Sequence, residues 1–336
     1  MAVTASPYAS DALPEAPVDV VVIGGGAAGL NGALMLARSR RSVVVIDNGS
    51  PRNAPAKAMH GFIVLDGTPP AEILQRGREQ VRQYGGRIVF GEVISAEPAS
   101  PSVDGDLRFT VSLADGHMIT ARRILVATGL TDVLPEVPGL AEHWGRSVVH
   151  CPYCHGWEVR DKPIGILATG PASIGHALLF RQLTEDLTYF THGTDLDEDT
   201  RARFTARGIR IIETAVKEVV NDEDGALAWV RLADGQVVAR RVLAVATQMQ
   251  ARAQGLEGLC LPMRDLPNNM GSGFATGMAG TTEVPGVWVA GNATDLTAQV
   301  GAAAAAGALA GAHINSVLAT ADADAALHAA PGGTRP

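Results

Sequence analysis

Two apolar runs separated by a helical pattern lie near the start of the chain. Residues 18–24 (VDVVVIG) are rich in β-branched side chains and predict a buried strand, and residues 42–47 (SVVVID) predict a second one. Between them, apolar residues recur at helical spacing over residues 27–40, which is typical of a helix packed on a sheet. Strand, helix and strand in this order predict a parallel sheet in an α/β fold.

The turn between the first strand and the helix has the pattern of a dinucleotide-binding site. Residues 24–29 read GGGAAG and satisfy G-x-G-x-x-G, and Asp47 ends the second strand. Glycines there let a pyrophosphate approach the N–H groups at the helix N-terminus, and the acid accepts hydrogen bonds from a ribose. The predicted contacts are Gly24, Gly25, Gly26, Ala27, Ala28, Gly29 and Asp47. The alternative is a glycine-rich turn that only packs a helix on a strand.

A second unit of the same design begins at residue 163. Its strand (PIGIL) is followed by the turn ATGPAS at residues 168–173, a helix from about Ile174 and a further strand. When this unit is aligned with the first, Ala168 and Ser173 replace the outer glycines and Thr191 replaces the acid. The sequence therefore predicts a second Rossmann-like domain that has lost its phosphate-binding and ribose-binding residues.

Length and charge exclude several classes of protein. At roughly 150 residues per domain, 336 residues allow about two domains. The formal net charge is -8, which argues against nucleic acid or an anionic membrane as the main partner. The Ala-rich uncharged stretch at residues 300–312 is shorter than the roughly 20 residues that span a bilayer, so no transmembrane segment is predicted. Residues 1–17 lack a basic start and an apolar run, and they predict a disordered leader on a cytoplasmic protein.

Three cysteines limit the possible chemistry. Cys151 and Cys154 form a Cys-x-x-Cys pair, whereas Cys260 lies between two leucines and is predicted to be a small buried residue. Three thiols exclude a disulfide-stapled scaffold and a four-thiolate zinc site, and no metal site is predicted. In a chain with βαβ patterning, the Cys-x-x-Cys pair indicates a redox couple.

These motifs occur in the order found in low-molecular-weight thioredoxin reductases, which the chain resembles. The matching features are the first fingerprint, the strand ILVATG at residues 124–129, the Cys-x-x-Cys pair, the second Rossmann-like unit, and VPGVWVAGN at residues 284–292 before an Ala-rich helix. The resemblance implies two Rossmann-like domains and a homodimer. It assigns residues 18–136 plus 263–320 to an FAD domain and residues 137–262 to an inserted NADPH-type domain that carries the dithiol. Residues 321–336 are predicted to be a flexible tail.

The same resemblance implies further FAD contacts. Those around the adenine and pyrophosphate are Asn48, Arg52, Asn53, Thr128 and Gly129, and those around the flavin and its ribityl chain are His60, Gly291, Asn292, Gln299 and Val300. An asparagine stands at residue 292 where most reductases have an aspartate, and its amide still accepts and donates hydrogen bonds. The alternative for residues 48–53 is a surface turn, and the alternative for His60 is a solvated loop histidine.

The chain departs from the reductases at two places. Their second fingerprint is followed by paired arginines that bind the NADPH 2′-phosphate, whereas here the sequence is Thr191-His192-Gly193, so no ordinary NADPH site is predicted. Residues 151–158 (CPYCHGWE) carry a histidine where reductases have an aspartate after the second cysteine. That stretch resembles the FAD-dependent dithiol oxidases that close disulfides in gliotoxin, holomycin and romidepsin-type metabolites.

The oxidase resemblance assigns roles to three residues. It implies that Cys151 faces the substrate, that Cys154 faces the flavin, and that His155 acts as acid and base. The sequence therefore predicts an FAD-dependent oxidase of a small-molecule dithiol that passes electrons to O2 and yields hydrogen peroxide. The alternatives are an NAD(P)H-dependent thioredoxin or disulfide reductase, and a redox-inactive flavoprotein that serves as a binding partner.

Overall fold

The structure is a computed structural model that describes residues 9–101 and 105–329. Its helices are α1 (Ala27–Arg38), α2 (Pro70–Gln83), α3 (Pro152–His155), α4 (Ala172–Phe180), α5 (Glu198–Ala206) and α6 (Val300–Ala329). Its strands are β1 (Val18–Ile23), β2 (Val43–Asp47), β3 (Arg87–Phe90), β4 (Val93–Ala99), β5 (Arg108–Leu113), β6 (Met118–Val126), β7 (Leu130–Val133), β8 (Val148–Val149), β9 (Ile164–Leu167), β10 (Leu187–Phe190), β11 (Arg210–Ile212), β12 (Val216–Asn221), β13 (Leu227–Leu232), β14 (Val237–Ala239), β15 (Val242–Val245), β16 (Gln248–Ala251), β17 (Met263–Leu266), β18 (Gly271–Phe274) and β19 (Val287–Val289).

The seven-stranded sheet holds the first fingerprint. Its order is β3-β2-β1-β6-β5-β4, and β19 also pairs with β6. The strands β1, β2, β3, β6 and β19 are parallel, and β4 and β5 form an antiparallel extension. Val20 and Val22 pack towards α1 and α6, whereas Val21 and Ile23 pack into the core on the opposite face. Both faces of β1 are buried, which is why its sequence is continuously apolar.

The second unit repeats this design on a smaller scale. A parallel sheet runs in the order β11-β10-β9-β15-β8, and an antiparallel sheet of β12, β13 and β14 follows. The succession β9, α4, β10 corresponds to β1, α1, β2, so the prediction of an α/β protein with two Rossmann-like units is confirmed.

A four-stranded sheet lies where the chain passes between the two units, and it shifts the predicted domain boundary. Its order is β17-β18-β16-β7, and β16 pairs antiparallel with β7. Ala251, Leu256 and Leu259 pack into the core of the first unit. The sequence analysis assigned residues 248–262 to the insertion. In the structure they belong with the FAD-type unit instead. The chain re-enters the first core soon after β15, and no change in composition marks that point.

Both predicted flexible ends differ from the structure where it describes them. Asp11 accepts hydrogen bonds from the Arg82 guanidinium and from the Ile88 backbone N–H, so residues 9–17 are held against the edge strand β3. The rest of the predicted leader, residues 1–8, lies outside the described residues. At the other end α6 continues to Ala329, and the carboxylate of Asp322 pairs with Arg122 at 2.6 Å. The ion pair anchors a segment that was predicted to be a flexible tail.

The helix α6 continues well beyond the uncharged stretch at residues 300–312. Its 30 residues are long and apolar enough to cross a membrane by length and composition alone. One of its faces packs on α1 and on the seven-stranded sheet. The buried residues on that face are Ala303, Ala304, Gly307, Ala310, Gly311, Ile314 and Leu318. This packing accounts for the apolar composition of α6.

Glycines set the distance between α1 and α6. A methyl group on Gly307 would overlap the Ala28 carbonyl oxygen, and one on Gly311 would lie 2.5 Å from the Gly32 carbonyl oxygen. The two helices therefore approach with backbone against backbone, and neither glycine leaves room for a side chain.

We predict that Gly307→Ala lowers the free energy of unfolding by about 1–3 kcal/mol, because the added methyl group forces α1 and α6 apart. Urea denaturation of the apo-protein measures the change. Gly301→Ala in the same helix is the matched control, since its methyl group would lie 3.7 Å from the Phe62 ring, in ordinary contact. Equal stability of Gly307→Ala and the wild type would contradict this account of the packing.

Candidate functional site

A cavity of about 830 Å³ lies where the carboxyl ends of β1, β2 and β6 meet the N-terminus of α1. It continues to α3 and α4, so both units line it. Ligands of open α/β sheets bind at such crevices. The predicted site residues that line the cavity are Gly24, Gly25, Gly26, Ala27, Ala28, Asp47, Asn48, Arg52, Asn53, His60, Thr128, Gly129, Cys151, Cys154, His155, Asn292, Gln299 and Val300.

The fingerprint glycines have different tasks. A methyl group on Gly29 would overlap the Gly24 carbonyl oxygen, so Gly29 packs α1 on β1 and does not line the cavity. Gly291 also stays outside the lining, because it packs against Ala28. By contrast, a methyl group on Gly26 would have no atom within 4 Å. This open space lies at the start of α1, whose first turn has no side-chain cap, and it suits a pyrophosphate.

The predicted ribose acid is held by the protein itself. Asp47 is 6% exposed, and it accepts a hydrogen bond from the Arg78 guanidinium at 3.1 Å. Its other carboxylate oxygen accepts from the Gly49 backbone N–H at 3.1 Å. These contacts fix the carboxylate at the cavity wall. The sequence predicts that this carboxylate binds the ribose of the cofactor.

The structure gives a reason for the asparagine at residue 292. The Asn292 amide nitrogen donates to the backbone oxygens of Asp295 at 2.9 Å and Ala298 at 2.8 Å. An aspartate at this place has no proton to donate to these carbonyl groups. The amide thus holds the loop before α6, and the contact of its oxygen with the ribityl chain stays a prediction. Gln299 and Val300 follow at the N-terminus of α6, where N–H groups favour developing negative charge.

A partly buried ion pair connects the loop after β2 to the strand β7. Arg52 donates two hydrogen bonds, at 2.7 and 2.6 Å, to Asp132, whose side chain is 3% exposed. Thr247 donates to the same carboxylate at 2.7 Å. Burial raises the pKa of Asp132, but the Arg52 and Thr247 hydrogen bonds outweigh it and leave that pKa below its usual value. Arg52 was predicted as a cofactor contact; the structure shows its guanidinium bound to Asp132, and the cofactor contact stays a prediction.

The two cysteines of the Cys-x-x-Cys pair are joined as a disulfide in the wall of the cavity. Cys151 caps the short helix α3, and its sulfur accepts a hydrogen bond from the Cys154 backbone N–H at 3.1 Å. Both residues are partly exposed. The same N–H would stabilise a thiolate on Cys151 after reduction, because backbone donors at a helix start favour negative charge.

His155 lies next to the disulfide and has an unusual environment. Both of its imidazole nitrogens are buried, and neither has a hydrogen-bond partner among the described residues. Burial lowers the pKa of His155 below its usual value near 6.5; the Glu158 carboxylate opposes this shift, and His60 and His150 add to it. His155 is therefore neutral at pH 7.

His60 connects the two units near the dithiol. Its Nδ1 lies 3.3 Å from Asp66, and its Nε2 lies 3.4 Å from Glu158 of the inserted unit. The imidazole is 23% exposed and lines the cavity. It is therefore part of the cavity wall, and the alternative of a solvated loop histidine does not describe it.

Other residues are placed differently from the sequence prediction. Cys260 is exposed, because it ends a short helical turn with a φ of +50° instead of packing inward. The sequence analysis missed His150 and His176, which both line the cavity. The position of His150 directly before Cys151 was an available signal. No motif marks His176, which lies within the degenerate second unit.

Known proteins resemble the chain over most of its length. The crystal structure of HlmI is 43% identical, covers 95% of this chain and 98% of that chain, and superposes with a TM-score of 0.87. An oxidoreductase from Agrobacterium tumefaciens is 35% identical over 91% of this chain and 99% of that chain, with a TM-score of 0.83. Thioredoxin reductase tcpT from Claviceps purpurea (strain 20.1) is 36% identical over 249 residues, which are 72% of this chain and 77% of that protein.

We predict that Gly26→Asp weakens FAD binding at least about tenfold, because the carboxylate would occupy the space before α1 and repel the pyrophosphate. The fold should persist, since aspartate is a good N-terminal cap for a helix. Flavin content and titration of the apo-protein with FAD measure the effect, and a melting curve checks folding. Gly26→Asn is the uncharged control and should retain more FAD. An affinity of Gly26→Asp equal to that of the wild type would place the pyrophosphate elsewhere.

A family match covers most of the chain. Residues 18–308 correspond to the family described as pyridine nucleotide-disulphide oxidoreductase. The open space at Gly26, the uncapped start of α1 and the Asn292 loop fit its FAD cofactor. The chain therefore belongs to the pyridine nucleotide-disulphide oxidoreductase family, and it is a thioredoxin reductase-like flavoprotein that binds FAD.

Proposed function

We propose that the protein oxidises a small-molecule dithiol to an intramolecular disulfide and uses O2 as the final electron acceptor. The overall reaction converts one dithiol and one O2 into one disulfide and one H2O2, so two electrons and two protons are transferred. Bound FAD supplies the two-electron chemistry that connects the Cys151–Cys154 pair to O2. The remaining steps are carried by side chains of this chain.

The first step is attack by a substrate thiolate on the sulfur of Cys151. A bond forms between the two sulfurs, the Cys151–Cys154 bond breaks, and its electron pair leaves with Cys154 as a thiolate. The second substrate thiol gives its proton to the Cys154 thiolate, and the resulting thiolate attacks the substrate sulfur of this mixed disulfide. The product disulfide is released, and Cys151 leaves as a thiolate that the Cys154 N–H stabilises.

His155 accepts the proton of the first substrate thiol. It is neutral at pH 7 because burial lowers its pKa, and its nitrogens have no competing partner among the described residues. It also directly follows Cys154, so it can return the proton to the leaving thiolate. A positioned general base of this kind contributes about 100-fold or more to a proton transfer.

The second fingerprint carries the argument for O2 rather than NADPH. The Ser173 side chain is fully buried, and its hydroxyl accepts a hydrogen bond from the Thr169 backbone N–H at 3.0 Å. The Thr169 N–H is thereby bonded within its own turn, so it is not available to a nucleotide phosphate. After β10, the His192 ring accepts from the Val216 N–H at 3.1 Å, where reductases place a phosphate-binding arginine. These contacts support a unit that holds the dithiol without binding NADPH.

The main alternative is an NAD(P)H-dependent disulfide reductase. It is favoured by the name of tcpT, which is called a thioredoxin reductase. Such an enzyme would consume NADPH in the presence of a disulfide substrate. An oxidase would leave NADPH unchanged under the same conditions.

We predict that Cys151→Ser and Cys154→Ser each abolish dithiol-dependent O2 uptake, because either change removes the disulfide that accepts the electrons. The wild type should consume one O2 and form one H2O2 for each disulfide produced. An oxygen electrode, a peroxide assay and a thiol assay measure the three quantities. Cys260→Ser is the matched control and should retain the wild-type rate, since Cys260 is exposed and absent from the cavity lining. Turnover in either Cys-x-x-Cys variant would refute the proposal.

We predict that His155→Ala lowers kcat/KM about 100-fold or more and removes the acid limb of the pH profile. A lowered pKa means that His155 stays an active base above that pKa, so wild-type activity should fall only below pH 6.5. Initial rates from pH 5 to 8 test this. His117→Ala, on the exposed turn between β5 and β6, is the control. Retention of the same acid limb in His155→Ala would assign the proton to another group.

A further inference from the structure

The loop at residues 59–68 contacts two parts of the molecule that belong to different units. Its base is closed by a hydrogen bond from the Met59 N–H to the Thr68 backbone oxygen at 2.9 Å. Inside it, the Gly61 N–H donates to the Asp66 carboxylate at 2.8 Å. Residues 59–68 therefore form a closed loop of defined shape, which we call the bridging loop.

The backbone of Val64 shows that this shape is imposed by other contacts of the loop. Its φ of +72° lies in the left-handed region, which β-branched residues seldom adopt. Such a conformation persists only where the surrounding structure holds it. The Val64 side chain is 92% exposed, so packing of that side chain does not explain the conformation. The bridging loop is therefore held by its other residues.

One side of the bridging loop lies against the start of α6. A methyl group on Gly61 would lie 3.4 Å from the Gln299 amide oxygen, and one on Gly301 would lie 3.7 Å from the Phe62 ring. Gln299 and Gly301 both line the cavity. The sequence predicts that Gln299 contacts the flavin, so the loop packs against the part of the wall where the flavin is expected.

The other side of the bridging loop reaches the inserted unit through His60. The Nδ1 of His60 lies 3.3 Å from Asp66 of the same loop, and its Nε2 lies 3.4 Å from Glu158. Glu158 lies in the short helical turn that follows α3 and contacts it. Because α3 carries Cys154, His60 connects the bridging loop to the segment that holds the redox pair.

Two carboxylates hold the His60 ring between them. Each ring nitrogen faces a carboxylate oxygen, so the imidazolium, which has an N–H on both nitrogens, is the form that pairs with both. The Gly61 N–H and, to a smaller extent, His60 lower the pKa of Asp66, which agrees with this attraction. Asp66 thus holds one side of the ring from within the loop while the opposite nitrogen faces Glu158.

We propose that His60 is a positioning residue that ties the bridging loop to Glu158 and thereby holds the redox pair towards the flavin side of the cavity. Sulfur and flavin react only when their reacting atoms are close and aligned, so the rate depends on how firmly the inserted unit is held in this position. The tie adds to the connection that Arg52 and Asp132 make between the units. This role goes beyond the proposed function, because the redox pair and the flavin must meet whichever way the electrons pass.

The first test removes the tie from either end and measures amide hydrogen exchange of the holoprotein. His60→Gln should speed exchange in residues 155–159, and Glu158→Gln should speed it in residues 60–67. The expected change is about two- to fivefold, the size typical of a partly exposed ion pair. The double variant should show no further increase, and His60→Lys, which keeps a cation, should restore slow exchange. Glu158 is absent from the cavity lining, so Glu158→Gln removes the tie without altering the cavity wall.

The second test measures the rate at which dithiothreitol reduces the flavin without O2 at pH 8, for each bound flavin. Both single variants should lower this rate about two- to fivefold, and the double variant should be no slower than the single ones. His60→Lys should restore most of the rate. His117→Gln is the matched control, because it removes a histidine–carboxylate contact of 3.1 Å on an exposed turn away from the cavity.

The direction of the effects separates positioning from an electrostatic influence on His155. Glu158 raises the pKa of His155, whereas His60 lowers it. If both residues acted only through the charge of His155, the two substitutions would shift the acid limb of the pH profile in opposite directions. They would then leave the rate at pH 8 unchanged, and that result would overturn the positioning role.

The outcomes also distinguish this inference from the proposed function. Faster exchange only within the unit that carries the substitution would contradict the role of His60, since the contact would then not couple the two units. Failure of dithiothreitol to reduce the wild-type flavin would instead refute the proposed function. In that case the hydrogen exchange of the variants alone decides whether His60 ties the units together.

Discussion

The ion pair between Arg52 and Asp132, whose carboxylate is buried, is the interaction on which the arrangement of this protein depends. It joins the loop after β2 to β7, the strand by which the chain leaves the first unit. Thr247 lies between β15 and β16, where the chain returns to the first unit, and its hydroxyl donates a further hydrogen bond to Asp132. A carboxylate that is 3% exposed is tolerated only with such partners, because a buried charge without a partner is costly. Both connections between the units are thereby fixed, and the disulfide lies in the wall of the FAD cavity.

The chemistry of the site follows from burial more than from charge. His155 and His176 both have lowered pKa values because they are removed from water, and both remain neutral at pH 7. Neutral imidazoles can accept protons or hydrogen bonds from thiols, whereas imidazolium groups could not. The negative charge that appears on sulfur is met by a backbone N–H at Cys151. In the second unit, the buried Ser173 hydroxyl occupies a turn N–H that a nucleotide phosphate would otherwise use.

Local sequence patterns predicted the local structure well. The apolar runs at β1 and β2, the fingerprint before α1 and the lesser copy at β9 and α4 were all visible, because strand and helix periodicities are properties of neighbouring residues. Most of the FAD contacts that the resemblance implies and the redox pair line one cavity in the structure.

Features that depend on distant contacts were not predictable in the same way. Residues 248–262 return to the first core through pairing with β7, and α6 extends to Ala329 beside an ion pair with Arg122. The use of the Asn292 amide inside its loop and the place of His176 beside His150 also depend on residues far apart or on loop geometry. Cys260 turned outward because the backbone there adopts a left-handed conformation, which no apolar pattern indicates.

The most direct test of the central claim is an anaerobic comparison of electron donors. The purified yellow protein is mixed separately with a dithiol, NADPH and NADH, and the flavin absorbance is followed before air is admitted. This account predicts bleaching by the dithiol alone, followed by return of the colour with formation of peroxide on aeration. Rapid bleaching by NADPH would contradict it, because the second fingerprint would then bind the nucleotide and the protein would act as a reductase.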